Sequence, residues 1–166
     1  TDGIEKSVPP RKGSRHVLRL IRELLFCQPM GSGTNLRRAL EHLNRTAKRR
    51  TVVFLISDFL DKGFDSSLRV ASRRHDIIPI VISDQREAEM PNVGLIRLRD
   101  EETGEVVTFD TSSWMSRRQY ARTWEEQTAA RDEMFRRLKL KPIHLKTGQD
   151  ITEPLQQYFR QRERQG

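Results

Sequence analysis

Cysteine is almost absent from this chain: Cys27 stands alone among 166 residues. That excludes a disulfide framework and a cysteine-built metal cluster, and it makes a reducing, cytoplasmic setting the default expectation. Long apolar runs are absent too. None approaches the roughly 18–20 residues of a membrane span, and no stretch reads as a signal peptide. An initiating Met is also missing, and the opening TDGIEK reads as the middle of something longer. Aromatics make up only 7% and do not interleave with the basic residues, so no base-stacking platform is visible.

What the chain does have is charge. Lys and Arg number 31 against 23 acids, a formal net charge of +8. Such a balance suits a nucleic-acid or anionic-membrane partner. The basic residues are spread, however, along the polar faces of apparent helices: Arg37, Arg38, Lys48, Arg49 and Arg50 on one, Arg117, Arg118, Arg122, Arg136 and Arg137 on another. That is the pattern of a solvated surface, and specific nucleic-acid recognition rests on charge alone. Hydrophobic residues are only 35% of the chain, but they cluster, which argues for a folded domain over disorder.

The clusters alternate in period. Val17, Leu18, Ile21, Leu24 and Leu25 predict a helix over 14–26; Leu36, Leu40, Leu43 and Ala47 predict a second. Thr51–Ser57 is Val- and Ile-rich on both faces, as in a buried parallel strand. Leu68 and Ala71 mark a short helix, and Ile77–Ile82 a second buried strand. Gly94–Leu98 and Glu105–Phe109 flank a Thr103-Gly104 turn, so a β-hairpin is expected over about 93–110. A long helix follows, with Trp114, Ala121, Trp124, Thr128, Phe135 and Leu138 on one stripe that Arg131 interrupts. Pro142–Lys146 predicts a third strand and Ile151–Arg160 a last helix with Leu155 and Phe159 inward; a ragged tail is expected over about 161–166. This order is the grammar of an α/β fold with a mainly parallel sheet in a single domain over 1–166.

In open α/β sheets, ligands bind beyond the carboxyl ends of the strands. Asp58 and Asp84 both follow strand ends, and the loop MGSGTNL, which runs into a helix, offers the Thr34 hydroxyl. Mg²⁺ takes oxygen ligands and keeps several waters, so a Thr hydroxyl with an Asp carboxylate is a plausible part of its shell. The bland alternatives are that Thr34 caps the following helix and that Asp58 braces a loop. GSGT lacks the GKS or GKT ending of a phosphate loop, and no strand precedes it. His16, His42, His75 and His144 sit in separate elements, with His42 and His75 expected on helix surfaces. Cys27 is expected to be packed, and Asp110–Ser113 to cap the long helix.

Several segments together carry a resemblance: KSVPPRKGSRHVLRLIREL, GTNL, VVFLISDF, then PIVISDQREAEMPNVGLIRLRDEETGEVVTFDT, and the late helix with Arg118 and Tyr120. They resemble the MoxR-associated domain of unknown function family 58, nearly throughout the chain; Gln85 stands where that family usually has Pro. The resemblance implies a von Willebrand A-like, Rossmann-type three-layer sandwich, with the hairpin as an insertion. It also implies a metal-ion-dependent adhesion site, in which Thr34 matches the Thr ligand and Asp58 the last Asp, with Ser32, Ser57 and Asp84 at the rim. The DxSxS motif of that site is not among these residues, since Asp110-Thr-Ser-Ser-Trp fails at its last position. The chain is accordingly expected to be the C-terminal part of a longer protein, with N-terminal strands missing.

The implied function is metal-dependent protein interaction, using Mg²⁺ or Mn²⁺ in the full-length protein and no metal in this chain alone. The partner would present a carboxylate, and a MoxR-type AAA+ ATPase is the partner class, in assembly or maturation of a complex. No catalysis is required. The alternatives are a metal-dependent phosphatase or nuclease using Asp58 and Asp84, and a nucleic-acid-binding domain. An unpaired, apolar edge on the 51–57 strand further predicts self-association.

Overall fold

The computed structural model describes residues 4–9, 11–28, 33–84, 90–99 and 106–164. Ser32, Gln85 and the Thr103-Gly104 turn lie outside the described residues. In chain order the elements are α1 (Ser14–Phe26), α2 (Leu36–Thr46), β1 (Val52–Ser57), α3 (Asp65–Arg74), β2 (Asp76–Ser83), β3 (Leu95–Arg99), β4 (Val106–Asp110), α4 (Trp114–Arg137), β5 (Ile143–Lys146) and α5 (Thr152–Glu163). The α/β alternation read from hydrophobic period is therefore present. α5 runs on to Glu163, so the first three residues of the segment expected to be ragged, 161–163, are helical.

β1, β2 and β5 form a parallel sheet in that order. β2 is central, with Val52 opposite Asp76 on one side and Ile80 opposite Ile143 on the other. Pro79 sits inside this central strand without an N–H to donate. It is tolerated because the ladder to β5 begins only at Ile80. β3 and β4 pair antiparallel as a separate hairpin, Leu95 opposite Asp110. Buried Thr111 fastens its base, its hydroxyl accepting from Val93 N at 3.0 Å and donating to Gly94 O at 2.6 Å.

Strand alternation sorts the core into two clusters. On one face, Val53, Leu55, Ile77 and Val81 meet Leu36 and Leu40 of α2, Leu68 and Ala71 of α3, and Met134 and Phe135 of α4. On the other, Ile78, Ile80 and Ile143 meet Leu155 and Tyr158 of α5. Helices thus cover both faces of a parallel sheet, a three-layer arrangement.

Strand β1 and three single residues depart from the sequence expectations. β1 is not buried on both faces: Val52, Phe54 and Ile56 are about half exposed, although Phe54 meets Phe159 of α5 edge to face. Cys27 is exposed at the end of α1, a helix that buries none of its residues. His75 is buried, lying seven residues beyond Leu68 on the same helical stripe. Trp114 is exposed, since α4 buries only its C-terminal half, at Arg131, Met134 and Phe135.

Candidate functional site

The carboxyl ends of β1 and β2 and the start of α2 lie at one end of the sheet. Their loops are shaped by short-range bonding first. Beyond β1, Asp58 is exposed, and its Oδ1 accepts from Leu60 N at 3.1 Å, an Asx-type turn. The Ser57 hydroxyl accepts from Phe59 N at 3.1 Å and donates to Asp58 Oδ1 at 3.3 Å. These bonds hold Phe59 in the left-handed region at φ 60°, unusual for an aromatic residue. The core offsets the strain: the Phe59 ring is buried edge-on against Phe135 and tilted against Phe64.

Arg131, the residue that interrupts the α4 stripe, reaches this loop. Its Nη1 donates to the Asp58 carbonyl at 3.2 Å and its Nε to Asp132 at 3.0 Å. A buried guanidinium therefore anchors the backbone of Asp58 and leaves the carboxylate outward. Sequence reading noticed Arg131 only as a break in periodicity; that break was the signal.

Asp61 is the residue that sequence reading missed. Its Oδ2 accepts from Leu36 N at 2.8 Å and its Oδ1 from Lys62 N at 2.6 Å. The first bond satisfies one of the orphan N–H groups of α2 and places a negative charge at that helix's positive end. It also joins the segment two residues after Thr34 to the loop three residues after Asp58. Thr34 itself is exposed; the helix cap is Asn35, whose side chain accepts from Arg38 N at 2.9 Å. A recess of about 260 Å³ opens beside the β1 loop, walled by Phe59, Asp61, Phe64, Gln127 and Arg131.

Asp84, at the end of β2, is half-buried. Its Oδ2 accepts from the Thr147 hydroxyl at 2.6 Å, and Thr147 N donates to Ser83 O at 3.0 Å, tying β2 to the end of β5. Ser83 Oγ adds a 3.4 Å bond to Leu145 O. Asp84 thus has a visible structural task.

Thr34 and Asp58 do not form a cation cage by themselves. Among the described residues no group of three or more His, Cys, Asp or Glu side chains converges, and the Asp58 carboxylate already serves Leu60. Nor is there, among the described residues, a helix long and apolar enough to cross a membrane.

The same chain pattern occurs in other bacterial proteins. An uncharacterized protein of Mycobacterium tuberculosis strain H37Rv, Rv1480, is 34% identical over 105 residues, which is 61% of this chain and 33% of that protein. The uncharacterized protein Mb1516 of Mycobacterium bovis matches to the same extent. The uncharacterized protein MAV169 of Mycobacterium avium is 33% identical over 100 residues, 58% of this chain and 59% of its own length. The chain spans about a third of the length of the first two relatives. No solved structure matches it. The family model described as "Protein of unknown function DUF58" matches residues 1–130, and this chain belongs to that family.

Proposed function

We propose that the chain is a protein-interaction module of a longer bacterial protein, docking a partner through the strand-end face that carries Thr34 and Asp58. The observation that carries this reading is the Leu36 N to Asp61 bond of 2.8 Å, which unites the Thr34 segment with the Asp58 loop. In the full-length protein, Thr34 and Asp58 supply part of the oxygen shell of a Mg²⁺ or Mn²⁺, with the remaining protein ligands coming from residues outside this chain. Such an ion, when bound, supplies positive charge and an open position for a partner carboxylate. This chain's own residues do the positioning: Arg131 fixes the Asp58 backbone, Ser57 and Leu60 fix its turn, and Asp61 fixes the start of α2. Ser57 belongs to the rim, as the resemblance also implies for Ser32, and Asp84 braces it. On the family resemblance, the partner is a MoxR-type AAA+ ATPase in the cytoplasm, and the role is assembly or maturation of a complex. No hydrolytic step is assigned to Asp58 and Asp84.

The test is affinity capture with the full-length protein, with and without chelator, comparing wild type with Asp58→Asn. Asn keeps an oxygen for Leu60 N–H but removes the charge. A partner lost on both chelation and substitution supports the reading. A partner list unchanged by either refutes it.

A further inference from the structure

At the opposite end of the sheet, where the strands begin, lies a cleft of about 420 Å³. Its charge is one-sided. Among the described residues, Arg50, Lys139, Lys141 and Arg162 line it against a single carboxylate, Asp76, and that carboxylate is bonded to Arg162. Arg162 also donates to the Tyr158 hydroxyl at 3.4 Å.

Two further observations mark the cleft as a built site. The first is His75. It lines the cleft, it is 2% exposed, and neither ring nitrogen has a hydrogen-bond partner among the described residues. An imidazole always carries at least one N–H, so the wall holds a buried donor without an acceptor, a costly arrangement that an oxygen-rich ligand would relieve. The second is Lys139. It closes α4 at φ 57°, with its N–H donating to Arg136 O at 3.0 Å and Leu140 N to Phe135 O at 2.9 Å. Glycine is the relaxed residue at such a helix end. A lysine there accepts backbone strain and places its charge at the mouth of the cleft.

We propose that this cleft binds a small organic phosphate monoester. Four cations against one acid suit a nearly doubly charged phosphate better than a single carboxylate. The apolar walls at Leu138, Leu140 and Pro142 suit the organic part. His75 supplies a donor to a phosphate oxygen. The site is separate from the strand-end face and does not depend on the function proposed for it.

The experiment is calorimetric titration of the 166-residue chain in phosphate-free buffer with phenyl phosphate, benzoate and inorganic phosphate. The His75 ring nitrogens are followed by NMR in parallel. Phenyl phosphate is expected to saturate one site, about tenfold tighter than benzoate, as one additional charge-assisted contact implies, and about tenfold tighter than inorganic phosphate, as burial of the ring against the apolar walls implies. Arg50→Gln and Lys139→Gly are each expected to weaken it severalfold. Lys139→Gly relaxes the backbone, so it tests the charge in a folded chain. Equal affinity for the three anions, indifference to both substitutions, or an unshifted His75 ring would overturn the proposal, as would no binding at all.

Discussion

The two faces of the parallel sheet are built from the same kind of residue and end in different states. On the face toward α2, α3 and α4, β1 presents Val53 and Leu55, and they pack against a core in which Leu68, Ala71 and Phe135 are at most 1% exposed. On the other face, the same strand presents Val52, Phe54 and Ile56, which stay 52%, 48% and 59% exposed because, among the described residues, only α5 packs on that side. Hydrophobicity makes both faces capable of burial; the covering helices decide which face achieves it. α1 repeats the lesson. Its stripe of Val17, Leu18, Ile21, Leu24 and Leu25 is as apolar as any core helix, and it buries none of them.

The largest expected effect lies on the covered face. Phe135→Ala removes a ring that is 1% exposed, at a cost of about 3–5 kcal/mol, the range for a buried aromatic truncated to alanine. The same truncation at Phe54, half exposed on the open face, is expected to cost about 1 kcal/mol or less, because little area returns to water. Urea midpoints at constant slope measure both. Equal losses would show that the open face is covered in solution, and the contrast between faces would fall.

The next effect concerns the bridge from the core to the candidate site. Arg131→Met keeps the buried stem of the side chain but removes the donor to the Asp58 carbonyl, costing roughly 1–3 kcal/mol. Amide exchange at Leu60, whose N–H is held by Asp58, should quicken more than that at Val53 on the covered face. Equal quickening at both would mean that Arg131 stabilises the whole core and does not specifically position the loop.

How much of this was legible in sequence follows from the reach of each interaction. Period and turn composition act over a few residues, so the helices, the parallel strands and the hairpin were readable, and α1 was read to its observed limits. Asp58 and Thr34 were marked by their places at a strand end and before a helix. Asp61 was not, because its partner Leu36 is 25 residues away and nothing in local spacing announces that bond. His75 could have been found: Leu68, Ala71 and His75 share one stripe, but the apolar neighbours drew the reading and the polar one was placed outside. β1's open face and the exposure of Cys27 were beyond reach, since both depend on which elements pack over them.

The open face also bears on association. Among the described residues β1 pairs only with β2, so one edge offers unsatisfied backbone groups beside an apolar surface. The chain is expected to self-associate in sedimentation, and Val52→Lys with Ile56→Lys is expected to raise its dissociation constant by about tenfold or more, since a burial worth 1.4 kcal/mol corresponds to a factor of ten. Lysines placed instead at exposed Leu24 and Leu25 of α1 separate the two open surfaces. If those substitutions, and not the β1 pair, produce monomers, the association belongs to the helix and the strand edge is incidental.

The smallest effect is a pH dependence on the covered face. His144 of β5 alternates with Ile143 and Leu145, so it projects on the side of α4, near Asp132 and Arg131. Its imidazole is held below the usual histidine value, chiefly by partial desolvation; Asp132 opposes the shift and Arg131 adds to it. The folded chain therefore binds a proton at this site less readily than the unfolded chain, whose histidine titrates near about 6.5. Stability from this group is complete above that value. It falls as the pH drops from there toward the lowered folded-state value, and it levels off below. Urea midpoints taken between about pH 7.5 and 5 should decline less in His144→Gln than in the wild type. Because His144 stands at the margin of the covered face, the difference should be a small fraction of the Phe135→Ala effect. A steeper decline in the variant would mean that Asp132 dominates, and that the margin of this face is wetter than its core neighbours imply.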